Sequence, residues 1–117
     1  MITIYGIKNC DTMKKARQWL DEHSVAYVFH DYRKAGISPE LIQLWIEKVG
    51  WEALLNKRGT TWRNLSEEEK TDLDATKAGQ LMCKQPALIK RPVLVDSDQD
   101  EIQVGFSTEA YHRFLKD

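Results

Sequence analysis

Residues 1–29 read MITIYGIKNCDTMKKARQWLDEHSVAYVF, and this stretch decides the fold. Residues 2–6 form a short apolar run closed by glycine, which is typical of a β-strand. Residues 25–29 are rich in β-branched and aromatic side chains and indicate a second strand. Between the two strands, apolar side chains recur at helical spacing, and the helix is predicted to end near His23 with Asp11 or Thr12 as its cap. A strand, a helix and a strand within about 30 residues predict a βαβ unit.

The middle of the chain, about residues 38–84, predicts a block of helices. Ser38-Pro39 has the capping hydroxyl and the first-turn proline of a helix start. Ser66 and Glu69 have capping-box spacing, and their helix is predicted to carry Leu73. One more helix is predicted after Asp74, whereas the NKRGTTWR segment is interpreted as a loop.

The last third of the chain returns to strands. The segment LIKRPVLV, residues 88–95, predicts a strand with Arg91-Pro92 inside it, and Ile102 and Val104 lie at strand spacing on another. Ser107 is predicted to cap a final helix. The sequence therefore predicts an α/β fold: a four-stranded mixed sheet flanked by helices, with a helical insertion between the second and third strands.

Length and charge restrict the classes of function. The chain has 117 residues and a mass of 13.6 kDa, which predicts a single domain over residues 1–117. The 17 basic and 18 acidic residues give a formal net charge of -1, which argues against nucleic acid as a partner. No apolar run approaches the ~20 residues of a membrane span, so no membrane partner is expected. The beginning of the chain has no signal-peptide pattern, so the expected location is the cytoplasm.

Cys10 is the candidate nucleophile, because it lies between the first predicted strand and the first predicted helix. The N-terminus of a helix carries a partial positive charge and unpaired N–H groups, which favour a thiolate over a thiol. Lys8 adds a cation two residues before it. We expect the pKa of the thiol to be lowered by about one to two units from ~8.5. The alternative is a buried, inert cysteine.

Arg91 and Pro92 form the second candidate site. A cis proline at a strand start would hold backbone near the Cys10 sulfur, although most X-Pro bonds are trans. Arg91 offers a guanidinium fork to a carboxylate or an oxyanion, or else it is a solvated strand-end residue. Arg58 and Arg63, in the predicted loop, line the same pocket or are simply exposed to solvent.

The remaining candidates for chemistry are less specific. Cys83 is interpreted as a small core or surface residue rather than a resolving cysteine. His23, His30 and His112 have no metal-ligand spacing, and two cysteines are too few for a thiolate zinc site, so no metal is expected. The four tryptophans are interpreted as core and lid packing.

Three stretches of the chain resemble the arsenate reductase (ArsC/Spx-like) family of glutaredoxin-coupled enzymes, which has a thioredoxin-like fold. They are ITIYGIKNCDTMKKARQWL, EALLNKRGTTWRNL, and PALIKRPVLV followed by VGFS. Within the family, the chain is most similar to small members thought to be glutathione-dependent thiol reductases. The resemblance implies that Cys10 is the nucleophile and that Pro92, after Arg91, is cis.

Departures from the family pattern bear on the substrate. The better-known arsenate reductases have a histidine where this chain has Gly6, and they surround the oxyanion with three arginines. Arg91 matches the first arginine, Arg58 is displaced by two residues from the second, at Asn56, and Gly105 stands in place of the third. This pattern argues against tight arsenate binding.

Three functions follow from the resemblance. The first is a cytoplasmic monothiol reductase with glutathione as co-substrate and no bound cofactor. Its partners would be glutathione and, in some steps, glutaredoxin. Its substrate would be a small-molecule or protein disulfide. The residues expected to hold glutathione are Lys8, Asn9, Thr12, Arg58, Arg91 and Pro92.

The second function is arsenate reduction on the same cysteine, coupled to glutathione and glutaredoxin. The third is a non-catalytic redox or RNA-polymerase-binding regulator. The family's transcriptional regulator carries a Cys-x-x-Cys switch, and Met13 replaces its second cysteine here, which weakens the third reading.

Overall fold

The structure, a computed structural model, describes residues 1–115. Contacts divide the chain into two compact units, which are described separately. Unit 1 comprises Met1–Ala35 and the described residues from Arg91 onward, and unit 2 comprises Gly36–Lys90. The single domain expected from the length of the chain stays a prediction. No helix within residues 1–115 has both the length and the apolar character needed to span a membrane.

The described residues contain four strands and eight α-helices. The strands are β1 (Ile2–Gly6), β2 (Val28–Asp31), β3 (Val93–Asp96) and β4 (Glu101–Val104). The helices are α1 (Asp11–Glu22), α2 (Tyr32–Ala35), α3 (Pro39–Val49), α4 (Trp51–Leu54), α5 (Thr60–Arg63), α6 (Glu67–Lys70), α7 (Ala75–Lys84) and α8 (Thr108–Leu115). A short 3₁₀ turn, Pro86–Leu88, precedes β3.

Unit 1 is built on the sheet, whose strand order is β2-β1-β3-β4. β1 pairs parallel with β2, whereas the β1–β3 and β3–β4 pairs are antiparallel. The four-stranded mixed sheet flanked by helices is therefore confirmed. The buried face of α1 packs with side chains of the sheet and α8 in one core: Ile4, Met13, Ala16, Trp19, Leu20, Leu94 and Tyr111. The i, i+3, i+4 spacing of the apolar residues in α1 places them on this single face.

One edge of the sheet collects three chain segments. Gly6 at the end of β1 lies opposite Asp31 at the end of β2, so both parallel strands finish at this edge. Tyr5 lies opposite Val93, so the antiparallel β3 begins at the same edge. The loop after β1, the residue after β2 and the residues before β3 consequently come together there.

Unit 2 is helical, and two of its helices start at the predicted caps. The Ser38 hydroxyl accepts from the Leu41 N–H at 3.1 Å, and Ser66 and Glu69 form the capping box. The helix predicted after Asp74 is capped by the Asp74 side chain. The core is apolar: Ile42, Trp45, Ile46, Leu54, Leu55, Leu65, Ala78, Leu81, Met82, Leu88 and Ile89.

Several predicted boundaries were wrong. The strand placed at residues 88–95 begins only at Val93, because ladder pairing with β1 starts opposite Tyr5. The second strand begins at Val28 rather than residue 25. Leu73 lies beyond α6, which ends at Lys70.

Two short helices also depart from the predictions. The segment interpreted as a loop contains α5, and α2 follows β2 directly. Each has only four residues, too few to show an apolar period.

Candidate active site

Cys10 occupies the N-cap of α1, which corrects the predicted caps Asp11 and Thr12. The helix begins one residue earlier than a cap at Asp11 predicts and two earlier than a cap at Thr12 predicts, so that Asp11 lies in its first turn. Cys10 has extended backbone angles (φ -110°, ψ 129°), and its carbonyl accepts from the Lys14 N–H at 3.0 Å. No side-chain oxygen caps this helix, and the half-buried thiol stands at its unpaired N–H groups instead.

The surroundings of the thiol favour its charged form. Burial by itself raises the pKa of Cys10, but the N–H groups of Met13 and Thr12 and the guanidinium of Arg91 outweigh burial. The net effect is a pKa below the ordinary value for cysteine. The direction agrees with the expectation, but the contributing cation is the sequence-distant Arg91, while Lys8 is exposed.

Arg91 interacts with Cys10 and with Tyr32 at the same time. Burial acts to lower the pKa of Arg91, but hydrogen bonds and charge interactions with the Cys10 and Tyr32 side chains outweigh it and raise that pKa. The guanidinium therefore stays protonated beside the thiol. Burial raises the pKa of Tyr32 to about 12, although Arg91 acts in the opposite direction, so the phenol stays neutral at physiological pH.

Tyr32 is the site residue that sequence reasoning missed. It is 1% exposed and is the first residue of α2, immediately after β2. The available signal was its position: the carboxyl end of a strand parallel to β1 reaches the edge that holds Cys10.

Pro92 follows Arg91 through a cis peptide bond, as the family resemblance implied. Pro92 is buried, and its carbonyl accepts from the Gly105 N–H at 2.8 Å. Gly105 has a φ of +82°, in the left-handed region that L side chains rarely adopt. An arginine at this position, as in the better-known arsenate reductases, would be conformationally strained here.

Gly6 and Met13, two departures from the family pattern, are sterically linked. A Cβ atom added at Gly6 would overlap the Met13 sulfur, so a histidine there would require the Met13 side chain to move. Met13 is fully buried in the core of unit 1. The side chain that replaces the second cysteine of the regulators thus occupies the position that the Cβ atom of a histidine at residue 6 would take.

The other predicted glutathione contacts are distributed between the two units. Lys8 and Asn9 form an exposed turn before Cys10, and Thr12 is exposed in the first turn of α1. Arg58 belongs to unit 2, where it lines a cavity of about 360 Å³ with Glu52, Leu55, Lys57 and Lys90. Its carbonyl accepts from the Arg63 guanidinium at 3.2 Å. The role of these residues in binding glutathione stays a prediction.

Cys83 lies in the last turn of α7, in unit 2. It lines a cavity of about 660 Å³ with residues of α3 and α7, including Pro39, Ile42 and Gly79. Burial and the charge of Glu40 raise the pKa of Cys83 above the ordinary value. This environment disfavours a thiolate, and the interpretation of Cys83 as a small core or surface residue rather than a resolving cysteine stays a prediction.

Two of the three histidines lie close together, although they are far apart in sequence. The ring of His23 stacks on Trp19 with centroids 3.8 Å apart, and His112 lies 5.3 Å from His23. Among residues 1–115, no group of three or more His, Cys, Asp or Glu side chains is placed to hold a metal ion.

Comparison with known proteins places this geometry in a family. The ArsC family matches residues 5–114. This chain belongs to the ArsC family. The solved structure of the YffB protein is 52% identical, with a TM-score of 0.91 and coverage of 97% of both chains. An ArsC-related protein from Brucella melitensis is 47% identical, with a TM-score of 0.77 and coverage of 99% of this chain and 95% of that one.

The ArsC family also includes regulators. The global transcriptional regulator Spx of Listeria innocua is 30% identical over 120 residues, covering 98% of this chain and 87% of Spx. The family and its thioredoxin-like fold, both implied by the sequence resemblance, are thereby confirmed.

Proposed function

We propose that this ArsC-family chain is a glutathione-dependent thiol–disulfide reductase that acts through one nucleophilic cysteine, Cys10. The observation that carries the proposal is the thiol at the N-cap of α1, where backbone N–H groups and Arg91 favour the thiolate. Thiol–disulfide exchange begins with attack by a thiolate, so this placement supplies the reactive species.

The proposed reaction has two exchange steps. The Cys10 thiolate attacks the glutathione sulfur of a mixed disulfide, a Cys10–glutathione disulfide forms, and the substrate thiolate leaves and takes a proton from water. A second glutathione thiolate then attacks the bound glutathione sulfur. Oxidised glutathione and the Cys10 thiolate are released, so two electrons have passed from glutathione to the substrate. Glutaredoxin could replace the second glutathione.

Glutathione fits the charges of the proposed contacts. Its two carboxylates are separated along the molecule, whereas arsenate is compact and needs several donors at one point. Arg91 is the guanidinium at the thiol, Lys8 supplies a second cation in an exposed turn, and Asn9 and Thr12 add polar groups around Cys10. We propose that these four residues and Pro92, all of unit 1, bind glutathione.

Steric observations argue against arsenate as the main substrate. The backbone at Gly105 has a positive φ that favours glycine, and a side chain at position 6 would overlap Met13. This chain lacks two groups that the better-known arsenate reductases use, and its structure would have to change locally to accept them. A reaction fuelled by glutathione also suits the cytoplasm, which we propose as the location.

The test is turnover of a substrate panel at fixed glutathione concentration. Mixed disulfides of glutathione with cysteine and with a peptide, and separately arsenate together with glutaredoxin, are supplied with glutathione reductase and NADPH, and NADPH consumption is followed. We expect turnover of the mixed disulfides above the rate with glutathione alone. Equal or faster turnover of arsenate, or no acceleration of any disulfide, would refute the proposal.

A further inference from the structure

The topology brings three side chains of unit 1 to one edge of the sheet. Cys10 follows β1, and Tyr32 follows β2, which is parallel to β1. Arg91 lies two residues before Val93, the first residue of the antiparallel β3. Because the three chain segments meet at the same end of paired strands, the strand register brings these residues together.

Tyr32 presents a buried, neutral hydroxyl to Arg91. The side chain is 1% exposed, and its hydroxyl is hydrogen-bonded with the guanidinium. A guanidinium has only donors, so the phenol oxygen accepts in this bond. The phenol does not ionise near neutral pH, so it adds a fixed dipole and no negative charge to compete with the thiolate for Arg91.

Arg91 has its second partner in the Cys10 sulfur. The guanidinium is planar with several N–H groups in a rigid fork, so it can serve an oxygen and a sulfur together. Its aliphatic stem has several rotatable bonds, and a partner on a buried ring restricts where the fork points. Tyr32 therefore influences the Cys10 thiol indirectly, by restricting the orientation of the Arg91 guanidinium.

We propose that Tyr32 is a positioning residue that holds the Arg91 guanidinium against the Cys10 sulfur. The charge of Asp31 also acts on Tyr32. The Asp31 carboxylate accepts hydrogen bonds from the backbone N–H groups of Arg33 at 2.9 Å and Lys34 at 3.4 Å. Asp11 is exposed in the first turn of α1. The consequence for reduction rests on the proposed function, but the consequence for the reactivity of the thiol does not.

The test is Tyr32→Phe, with Tyr111→Phe as the matched control. Tyr111 is equally buried in unit 1, and its hydroxyl has no hydrogen-bond partner among the described residues. Iodoacetamide alkylation of Cys10 is measured against pH in a Cys83→Ser background. We expect the midpoint to rise by about 0.5–1 pH unit in Tyr32→Phe and to stay unchanged in Tyr111→Phe.

Combination with Arg91→Ala separates positioning from a general structural effect. If Tyr32 acts through Arg91, Tyr32→Phe causes no further rise of the midpoint in the Arg91→Ala background. An unchanged midpoint in Tyr32→Phe alone, or an equal additional rise in the double variant, would overturn the proposal.

A second variant leaves the buried ring intact in case Tyr32→Phe does not fold. Arg91→Lys keeps the charge but loses the fork that reaches two partners, so the midpoint should again rise. A midpoint equal to that of the wild type would overturn the proposal. If the chain shows no reductase activity while these midpoints move as expected, the proposed function fails and the role of Tyr32 stands.

Discussion

Cys10 and Cys83 are both half-buried thiols, yet their surroundings shift their pKa values in opposite directions. Cys10 is the N-cap of α1, whereas Cys83 lies in the last turn of α7, so the two occupy opposite ends of their helices. The N-terminal end presents N–H groups and partial positive charge, and the C-terminal end presents carbonyl groups and partial negative charge.

The neighbouring charges reinforce this difference. Arg91 stands beside Cys10 and lowers its pKa, whereas Glu40 raises the pKa of Cys83. Burial opposes the thiolate in both places, so burial alone does not distinguish a reactive cysteine from an inert one. In this comparison the helix end and the sign of the adjacent charge favour the thiolate at Cys10 and disfavour it at Cys83.

The largest expected effect comes from removing each sulfur in turn. Cys10→Ser should reduce disulfide reductase activity by at least about 1000-fold, because the attacking atom is lost. Cys83→Ser should retain most of the activity. Both are measured as NADPH consumption with a glutathione mixed disulfide. Equal losses in the two variants would indicate a two-cysteine mechanism.

Replacing Arg91 should reduce the difference between the pKa values of Cys10 and Cys83. Arg91→Ala should raise the alkylation midpoint of Cys10 and reduce kcat/KM for glutathione by an amount equivalent to about 1.5–3 kcal/mol. Arg17→Ala is the control, because Arg17 stacks on Phe29 at 4.4 Å in the same unit. A similar loss in both variants would mean that general packing, not the charge beside Cys10, is responsible.

The pH dependence of stability should have opposite signs for the two cysteines. The folded pKa of Cys10 is lowered, so the unfolded state binds more protons and the contribution of Cys10 to stability grows as pH rises through the folded pKa. The folded pKa of Cys83 is raised, so its contribution falls as pH rises through the unfolded pKa.

The measurement is urea unfolding of the wild type, Cys10→Ser and Cys83→Ser under reducing conditions between about pH 6 and 10, a range that brackets the ordinary cysteine pKa of ~8.5. Each unit of pKa difference between the folded and unfolded states is worth about 1.4 kcal/mol. For each variant, the difference in unfolding free energy from the wild type is plotted against pH. Differences that change with pH in the same direction for both variants would contradict the comparison.

The smallest expected effect tests the charge next to Cys83. Glu40→Gln should lower the alkylation midpoint of Cys83 by a few tenths of a pH unit, because the carboxylate is only one contribution after burial. The control is Glu47→Gln, an exposed position on the same helix. Cys83 is followed in a Cys10→Ser background, and an equal shift from both substitutions would exclude a local effect of Glu40.

Much of the fold could be predicted because its signals are local. The apolar run of β1, the alternating apolar residues of β4, the helical spacing in α1, and the capping residues Ser38, Ser66 and Ser107 each act within a few residues. The boundary of β3 could not be predicted in this way. Its first residue is set by pairing with β1, which is distant in sequence.

The residues of the candidate site also differ in whether a local signal in the sequence identifies them. Position at the end of a strand and the start of a helix was enough to select Cys10, because the helix end favours a thiolate whatever the rest of the fold. The position of Arg91 and Pro92 in a predicted strand made them the second candidate site, and the family resemblance implied that Pro92 is cis. Tyr32 has no local signal, because a lone tyrosine after a strand is ordinary until its neighbours are known.

The sequence by itself therefore determined the candidate nucleophile, the mixed sheet and the helical block, since these depend on periodicity, caps and chain order. Only the tertiary structure decided which cation acts on the thiol. Lys8 is near Cys10 in sequence but exposed, whereas Arg91 and Tyr32 reach it because antiparallel β3 starts where parallel β1 and β2 end. Strand pairing joins distant segments at short range, and electrostatic interactions depend on that distance rather than on separation along the chain.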